Sequence, residues 1–166
     1  MRSYIMIALS VFVLGALNYS IYDKQKIKDH GEVVFLKLGS YDPRSIMQGD
    51  YRRLGYALLR AIPKEKKKKF PKRGYVVIKP DENNVAQFVR LHVGAPLKEE
   101  EKLLRFHKKH YISIVPDTFF FQEGHDKYYK KIEYGVFKFD KKGNYLLVGL
   151  ADKDKKTISP INETSL

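Results

Sequence analysis

Tyr4–Tyr22 reads YIMIALSVFVLGALNYSIY, a run of 19 residues without a charged side chain. A helix rises about 1.5 Å per residue, so this run would span about 28 Å, close to the hydrocarbon thickness of a bilayer. Apolar residues would lie on every side of the helix, and tyrosines stand at both ends, where aromatic rings favour the membrane interface. We therefore predict an uncleaved transmembrane anchor at residues 4–22.

Two other interpretations of this run stay open, a cleaved signal peptide and a buried core helix. Signal peptidase requires small residues just before its cleavage point, and Gly15-Ala16-Leu17-Asn18 offers no clear pair of them. A core helix of this length ordinarily has a polar face. The anchor is therefore the interpretation that the residues favour.

The charges beside the anchor bear on its orientation. Lys24, Lys26 and Lys28 follow the run and Arg2 precedes it, which would keep the C-terminal flank inside the cell. That rule weakens when a whole domain follows the anchor. We expect a single-pass protein of the cell membrane whose domain is extracytoplasmic.

The whole chain has 166 residues and a formal net charge of +13, with 43% hydrophobic residues. This apolar content excludes a disordered polyelectrolyte, and the length suits one folded, basic domain. No cysteine is present. Disulfides, thiolate-bound zinc, iron–sulfur clusters and a cysteine nucleophile are therefore excluded.

After the anchor, residues 23–31 are expected to be a polar tether, residues 32–151 a β-rich domain and residues 152–166 a flexible tail. Short apolar runs recur about every ten residues between turn signals, a pattern typical of an antiparallel barrel or sandwich. Leu97–His110 has the composition of one short helix, although Leu103–His107 fits a strand equally well. The expected strands are Glu32–Leu38, Asp50–Ile62, Tyr75–Lys79, Val85–Val93, Ile112–Val115, Thr118–Gln122, Ile132–Asp140 and Tyr145–Ala151. The turns at residues 80–84 and 141–144 are expected to close two hairpins, and Gly143 can take a positive φ in the second.

The most distinctive stretch is YDPRSIMQGDYRRLGY, residues 41–56, which we interpret as a loop leading into a strand. Pro43 favours an extended Asp42, and Gly49-Asp50 favours a turn. Arg44 and Asp50 could form an ion pair that braces the loop. Within a strand, Tyr51 and Tyr56 would lie on opposite faces.

Gly49–Tyr56 fits the pattern GDYxxLxY and resembles the motif of the GDYXXLXY protein family. Asp42–Ser45 resembles the usual lead-in to this motif, and Phe119–Gly124 resembles a second block of the family. Tyr134-Gly135 and the segment from Gly143 to Leu150 continue the resemblance. It implies a bacterial membrane-anchored domain that works beside polytopic membrane proteins, and it carries no activity, cofactor or catalytic residue with it.

The first candidate site is the polar part of this motif together with the second block. We interpret it as a structural brace, and a binding site stays open. A membrane-surface enzyme that uses Asp50 and Glu123 for acid–base chemistry is a further alternative. The candidate structural or binding residues are Asp42, Arg44, Gly49, Asp50, Tyr51, Leu54, Tyr56, Glu123 and Gly124.

The second candidate site is the segment Lys64–Arg73, with seven cations and one anion in KEKKKKFPKR. A solvated hairpin loop is its simplest interpretation, and contact with anionic lipid is the main functional one. A protein partner and nucleic acid are weaker alternatives, because no nucleic-acid motif accompanies the run. The candidate residues for an anionic surface are Lys64, Lys66, Lys67, Lys68, Lys69, Lys72 and Arg73.

Other chemistry has little support in the sequence. His107, His110 and His125, with Glu123 and Asp126, fit no known metal-ligand spacing. Ser45 near Gly49-Asp50 resembles a signal peptidase only distantly, since no general-base lysine can be identified. We therefore predict no catalytic residue, metal or cofactor, and expect a non-enzymatic accessory subunit of a polytopic membrane protein.

Overall fold

The computed structural model of the chain describes residues 2–39, 51–60, 62–120 and 131–158. An N-terminal helix, α1 (Arg2–His30), precedes a β-rich domain with one short helix, α2 (Lys64–Lys68), and a 3-10 helix at Ala57–Leu59. The strands are β1 (Glu32–Lys37), β2 (Tyr51–Arg53), β3 (Arg73–Pro80), β4 (Ala86–Leu91), β5 (Lys102–Lys108), β6 (Ile112–Ile114), β7 (Thr118–Phe120), β8 (Tyr134–Phe139) and β9 (Tyr145–Ala151). The predicted fold, mainly antiparallel β with an N-terminal helix, is confirmed.

The strands form sheets in the orders β1-β8-β9, β4-β3-β5-β6 and β2-β7. All strand pairs within them are antiparallel. The two larger sheets meet along one edge, where Phe35 bridges Val85 and the Phe35 N–H donates to the Asn84 carbonyl at 2.8 Å. They therefore enclose one core rather than two.

This core follows from alternation along the strands, which places every second side chain on the same face. Val34 and Leu36 of β1 are fully buried, as are Leu104 and Phe106 of β5, and all four belong to one hydrophobic cluster. Burying a large apolar side chain contributes about 1.5 to 3 kcal/mol, so this cluster is the main stabilising element of the domain. The other fully or nearly fully buried strand residues in it are Val76, Ile78, Ala86, Ile114, Phe137, Phe139 and Leu150.

Both predicted hairpins are present, β3–β4 and β8–β9. Asp81 opens the first turn and Asp140 the second, and each carboxylate accepts the N–H groups two and four residues later. The residue three positions after the aspartate has a positive φ in both turns, 57° at Asn84 and 85° at Gly143. The left-handed conformation expected at Gly143 is thereby confirmed.

Two local predictions need correction. Leu97–His110 is not a helix, and the alternative of a strand at Leu103–His107 is confirmed, because Lys102–Lys108 pairs with β3 as strand β5 and buries Leu104 and Phe106 at alternate positions. The strand expected over Asp50–Ile62 ends at Arg53, and a 3-10 helix follows. In that helix the consecutive residues Leu58 and Leu59 are both buried, so this short turn contributes two neighbouring side chains to the core.

The segment expected to be a polar tether, residues 23–31, is helical as far as His30 and packs on the domain. Ile27 is only 5% exposed, and α1 contacts β8 and β9. The Gly31 N–H donates to the Ile27 carbonyl at 2.8 Å, and Lys138 Nζ donates to the Lys28 carbonyl at 2.6 Å. Helix α1 and the domain are therefore joined by a packed, hydrogen-bonded junction.

The start of the expected tail also packs on the domain. Thr157 bridges Ala151, and the Ile158 N–H donates to the Leu150 carbonyl at 2.8 Å. Asp152 opens this last turn with the same carboxylate contacts as the two hairpin turns. Residues 152–158 thus extend the edge of the domain, and residues 159–166 lie outside the described part of the chain.

We predict that Gly31→Ala loosens the junction between α1 and the domain. A Cβ at this position would collide with the Ile27 carbonyl and lie 2.9 Å from the Lys138 Cβ. Such overpacking costs about 1 to 3 kcal/mol. In the full chain in detergent, we expect a lower unfolding temperature and faster tryptic cleavage at Lys24–Lys28.

The matched control is Gly55→Ala, because a Cβ there has nothing within 4 Å. It should leave both readouts near those of the unmodified chain. If Gly31→Ala behaves like this control, the junction is looser than the packing indicates.

Candidate functional site

The second half of the GDYxxLxY motif ties three segments of the domain together. Strand β2, Tyr51–Arg53, pairs with β7, which contains the first residues of the second sequence block. Leu54 is buried, and its N–H donates to the Asp117 carbonyl at 2.7 Å. Leu38, after β1, bridges Tyr56. The motif therefore connects β1 to the connection between β6 and β7.

Tyr56 is a deeply buried polar residue of the motif, with 3% of its surface exposed. Its hydroxyl donates to the Pro116 carbonyl at 2.8 Å, and its ring packs edge-on against Phe137 with centroids 5.8 Å apart. Burial raises the pKa of the Tyr56 hydroxyl well above its ordinary value, and the charge of Asp117 raises it further. The hydroxyl is therefore a permanent donor and cannot act as a general base near neutral pH.

A second tyrosine binds the neighbouring carbonyl. The Tyr145 hydroxyl donates to the Val115 carbonyl at 2.6 Å and accepts the Arg105 N–H at 3.0 Å. Burial raises the pKa of this hydroxyl too, although the Arg105 N–H acts in the opposite direction. Two hydroxyls from distant parts of the chain thus hold consecutive carbonyls, the one within the cis Val115–Pro116 peptide bond and the one that follows it.

The loop of Val115, Pro116 and Asp117, hereafter the 115–117 loop, also carries a polar side-chain cluster. Asp117 Oδ2 lies 3.6 Å from His107 Nε2, and Thr118 Oγ1 donates to Asp117 Oδ1 at 3.3 Å. Ser113 lies directly across from His107 in the β5–β6 pair. Ser113, His107 and Asp117 therefore lie close together in the fold. The sequence alone does not indicate this, because it depends on how β5 and β6 pair.

This cluster does not have the arrangement of a serine hydrolase. In a catalytic triad the carboxylate binds Nδ1 and the serine lies at Nε2, whereas Asp117 faces Nε2 of His107. Ser113 is also only 6% exposed, so a substrate carbonyl cannot approach its hydroxyl. The cluster is better interpreted as part of the support of the 115–117 loop.

Several predicted site residues lie outside the described residues: Asp42, Arg44, Gly49, Asp50, Glu123 and Gly124. The Arg44–Asp50 brace and the acid–base pair of Asp50 and Glu123 therefore stay predictions. His125, Asp126 and Ser45 also lie outside. Tyr51 is placed by its backbone in β2, and because that strand ends at Arg53, the opposite-face relation expected for Tyr51 and Tyr56 does not apply.

The basic segment Lys64–Arg73 is not the hairpin loop that we expected. Lys64–Lys68 form α2, and Phe70 anchors the following turn in the core, 5.1 Å from the Phe106 ring. Lys108 Nζ donates to the carbonyls of Lys67, Lys68 and Phe70 at 3.0, 3.2 and 3.1 Å. This ammonium group neutralises the negative end of the short helix and fixes it to β5.

Metal-ligating groups are sparse in the part of the chain that the structure describes. No group of three or more histidine, aspartate or glutamate side chains there could hold a metal ion. The described geometry therefore offers a structural brace at the 115–117 loop and a basic surface around α2.

We predict that Tyr56→Phe destabilises the domain by about 1 to 2 kcal/mol, because it leaves the Pro116 carbonyl without its donor while keeping the ring. Chemical denaturation of the full chain in detergent measures this loss. Tyr75→Phe is the matched control, since Tyr75 is 44% exposed, and it should change stability by less than about 0.5 kcal/mol. Equal stabilities for the two variants would show that the Tyr56 hydroxyl is not a brace.

No curated protein sequence and no solved structure matches the chain significantly. A family model described as GDYXXLXY protein matches residues 13–150, which include half of the anchor run, the motif and β1 to β8 with most of β9. The match covers well over half of the chain and agrees with the segments that the motif ties together. The chain belongs to the GDYXXLXY protein family.

Proposed function

We propose that this protein is a membrane-anchored, non-enzymatic domain that acts as an accessory subunit of a polytopic membrane protein. The observation that carries the proposal is the surface of α1. Within Tyr4–His30, a stretch of 18 residues reaches a mean hydropathy of 1.9, and none of that stretch is buried in the domain. Phe12, for example, is 73% exposed.

An apolar helix of this length, exposed on all sides, needs a non-aqueous environment. Tyr4, Tyr19 and Tyr22 stand at its ends and suit the two membrane interfaces. The following turns, from Asp23 to His30, are polar and would raise the domain above the membrane. These features support a single-pass protein of the cell membrane.

The contacts of the motif support a role other than catalysis. Tyr56 and Tyr145 both use their hydroxyls to hold backbone carbonyls, and Lys108 uses its ammonium group to hold α2. These groups are engaged within the fold rather than directed at a substrate. The family resemblance implies a polytopic partner, and an anchored domain with a rigid junction is suited to such an arrangement.

Co-purification tests the proposal. A C-terminally tagged full chain, extracted from its own cells in a mild detergent, should bring down a polytopic membrane protein in near-stoichiometric amount. A chimera with an unrelated membrane helix in place of Tyr4–Tyr22 shows whether the anchor or the domain holds the partner. A chain that elutes alone even after cross-linking in the membrane would overturn the proposal.

The orientation has its own test, because the chain contains no cysteine. Lys142 is exposed in the β8–β9 turn, so Lys142→Cys introduces a single thiol on the domain. We expect a membrane-impermeant maleimide to label it in intact cells. Labelling only after cell lysis would place the domain in the cytoplasm.

A further inference from the structure

The fold combines two basic segments that are separate in the sequence. Arg73 pairs with His107 at one end of the β3–β5 pair, and the Lys108 N–H donates to the Lys72 carbonyl at 2.8 Å. Lys108 Nζ in turn holds the carbonyls at the end of α2. These contacts create one continuous surface, hereafter the basic surface, whose described members are Lys67, Lys68, Lys69, Lys72, Arg73, Lys108, Lys109 and His110.

Most of these charges are open to solvent. Lys68, Lys69, Lys72, Arg73 and Lys109 are exposed. Lys108 is half-buried and occupied by carbonyls, so it serves as the support of the surface rather than as a contact. The positive charge is therefore concentrated on the surface formed by α2 and the adjoining ends of β3 and β5, where an anionic partner can reach it.

The opposite end of the same sheet carries charges of both signs. There the carboxylates of Asp81, Glu82, Glu99, Glu100 and Glu101 lie at the end of β3 and the start of β5 among the cations Lys79, Arg90, Lys98 and Lys102. Lys79 pairs with Glu100 at 3.0 Å, and Arg90 pairs with Glu101. The excess of positive charge on the β4-β3-β5-β6 sheet is therefore concentrated at the end beside α2, where an anionic partner would bind.

The position of the basic surface relative to the anchor bears on the choice of partner. Lys102, at the start of β5, pairs with Glu32 at 2.8 Å, next to the end of α1. Lys108 is at the other end of β5, about 20 Å away along the strand. The polar helical turns from Asp23 to His30 add about 12 Å beyond the apolar run.

These lengths disfavour lipid headgroups as the ligand. Charges at a membrane are screened over about 8 Å at physiological ionic strength, which is shorter than the helical spacer alone. The apolar run is exposed and α1 meets the domain in its last turns, at Ile27 and Lys28, so the packed Gly31 junction restrains bending of the domain towards the bilayer. A ligand that extends out of the membrane fits the surface better than the membrane itself.

We propose that the basic surface docks an acidic segment, rich in aspartate and glutamate, in an extramembrane loop of the polytopic partner. This inference rests on the proposed function, because it names the contact through which the accessory subunit holds its partner. The lysine side chains recognise charge rather than a fixed planar group, so a run of several carboxylates suits the surface better than a single anion.

The test uses a triple variant and a matched control with the same change in charge. Lys68→Glu, Lys69→Glu and Lys72→Glu together reverse exposed charges of the basic surface. Lys141→Glu, Lys142→Glu and Lys153→Glu reverse three exposed lysines elsewhere. Both full-length chains are reconstituted in phosphatidylcholine nanodiscs and titrated with a fluorescent decamer of glutamate.

We expect the basic-surface variant to bind the glutamate decamer about tenfold more weakly than the unmodified chain, and the control variant to lose less than about twofold. In the co-purification experiment, the same variant should lose the polytopic protein while the control retains it. Equal binding by the two variants, or an undiminished yield of the partner with the basic-surface variant, overturns the inference.

Two further arms identify other ligands. A fluorophore at Lys69→Cys should not be quenched by headgroup nitroxides in nanodiscs of equal phosphatidylcholine and phosphatidylglycerol, and quenching would assign the surface to lipid. Tighter binding of an oligothymidylate decamer than of the glutamate decamer would assign it to nucleic acid. If the unmodified chain brings down no polytopic protein, the proposed function fails. If the unmodified chain and the basic-surface variant bring it down in equal amount, only the docking inference fails.

Discussion

The hydrogen bond from the Tyr56 hydroxyl to the Pro116 carbonyl is the constraint on which the rest of the domain depends. It joins the motif segment after β2 to the 115–117 loop, which connects the four-stranded sheet to the β2–β7 pair. The ring of Tyr56 lies against Phe137 of the three-stranded sheet, so one side chain joins that sheet to the 115–117 loop. Without this donor, the partly buried Pro116 carbonyl would lose its hydrogen-bond partner.

The packed junction at Gly31 gives this braced domain a defined relation to α1. Because Ile27 is buried against the domain and Lys138 holds the end of α1, a tilt of the helix would carry the domain with it. A flexible tether would instead allow the domain to sample many orientations. The junction therefore holds the basic surface in a restricted position relative to α1.

The sequence predicted what depends on local pattern and missed what depends on pairing. Alternation and turn residues were sufficient to predict β1, both hairpins and the positive φ of Gly143. Leu97–His110 was ambiguous because glutamate and leucine favour helices, and only pairing with β3 makes it a strand. The partner of Tyr56 lies 60 residues away, and no single-sequence pattern indicates such a contact. The same holds for Lys108, whose role at the end of α2 follows from tertiary packing alone.

The internal use of the motif changes where binding should be sought. Leu54 and Tyr56 are buried, so the part of GDYxxLxY that the structure describes shapes the domain and presents no side chain of these two residues to a ligand. Residues that face solvent do not have this structural role. Among the described ones, the lysines around α2 are the most concentrated group of one charge. The motif determines the fold, whereas the charge of the surface determines which ligands it attracts. The two properties can therefore change independently. Domains with the same motif can therefore share this architecture while their surfaces differ in charge.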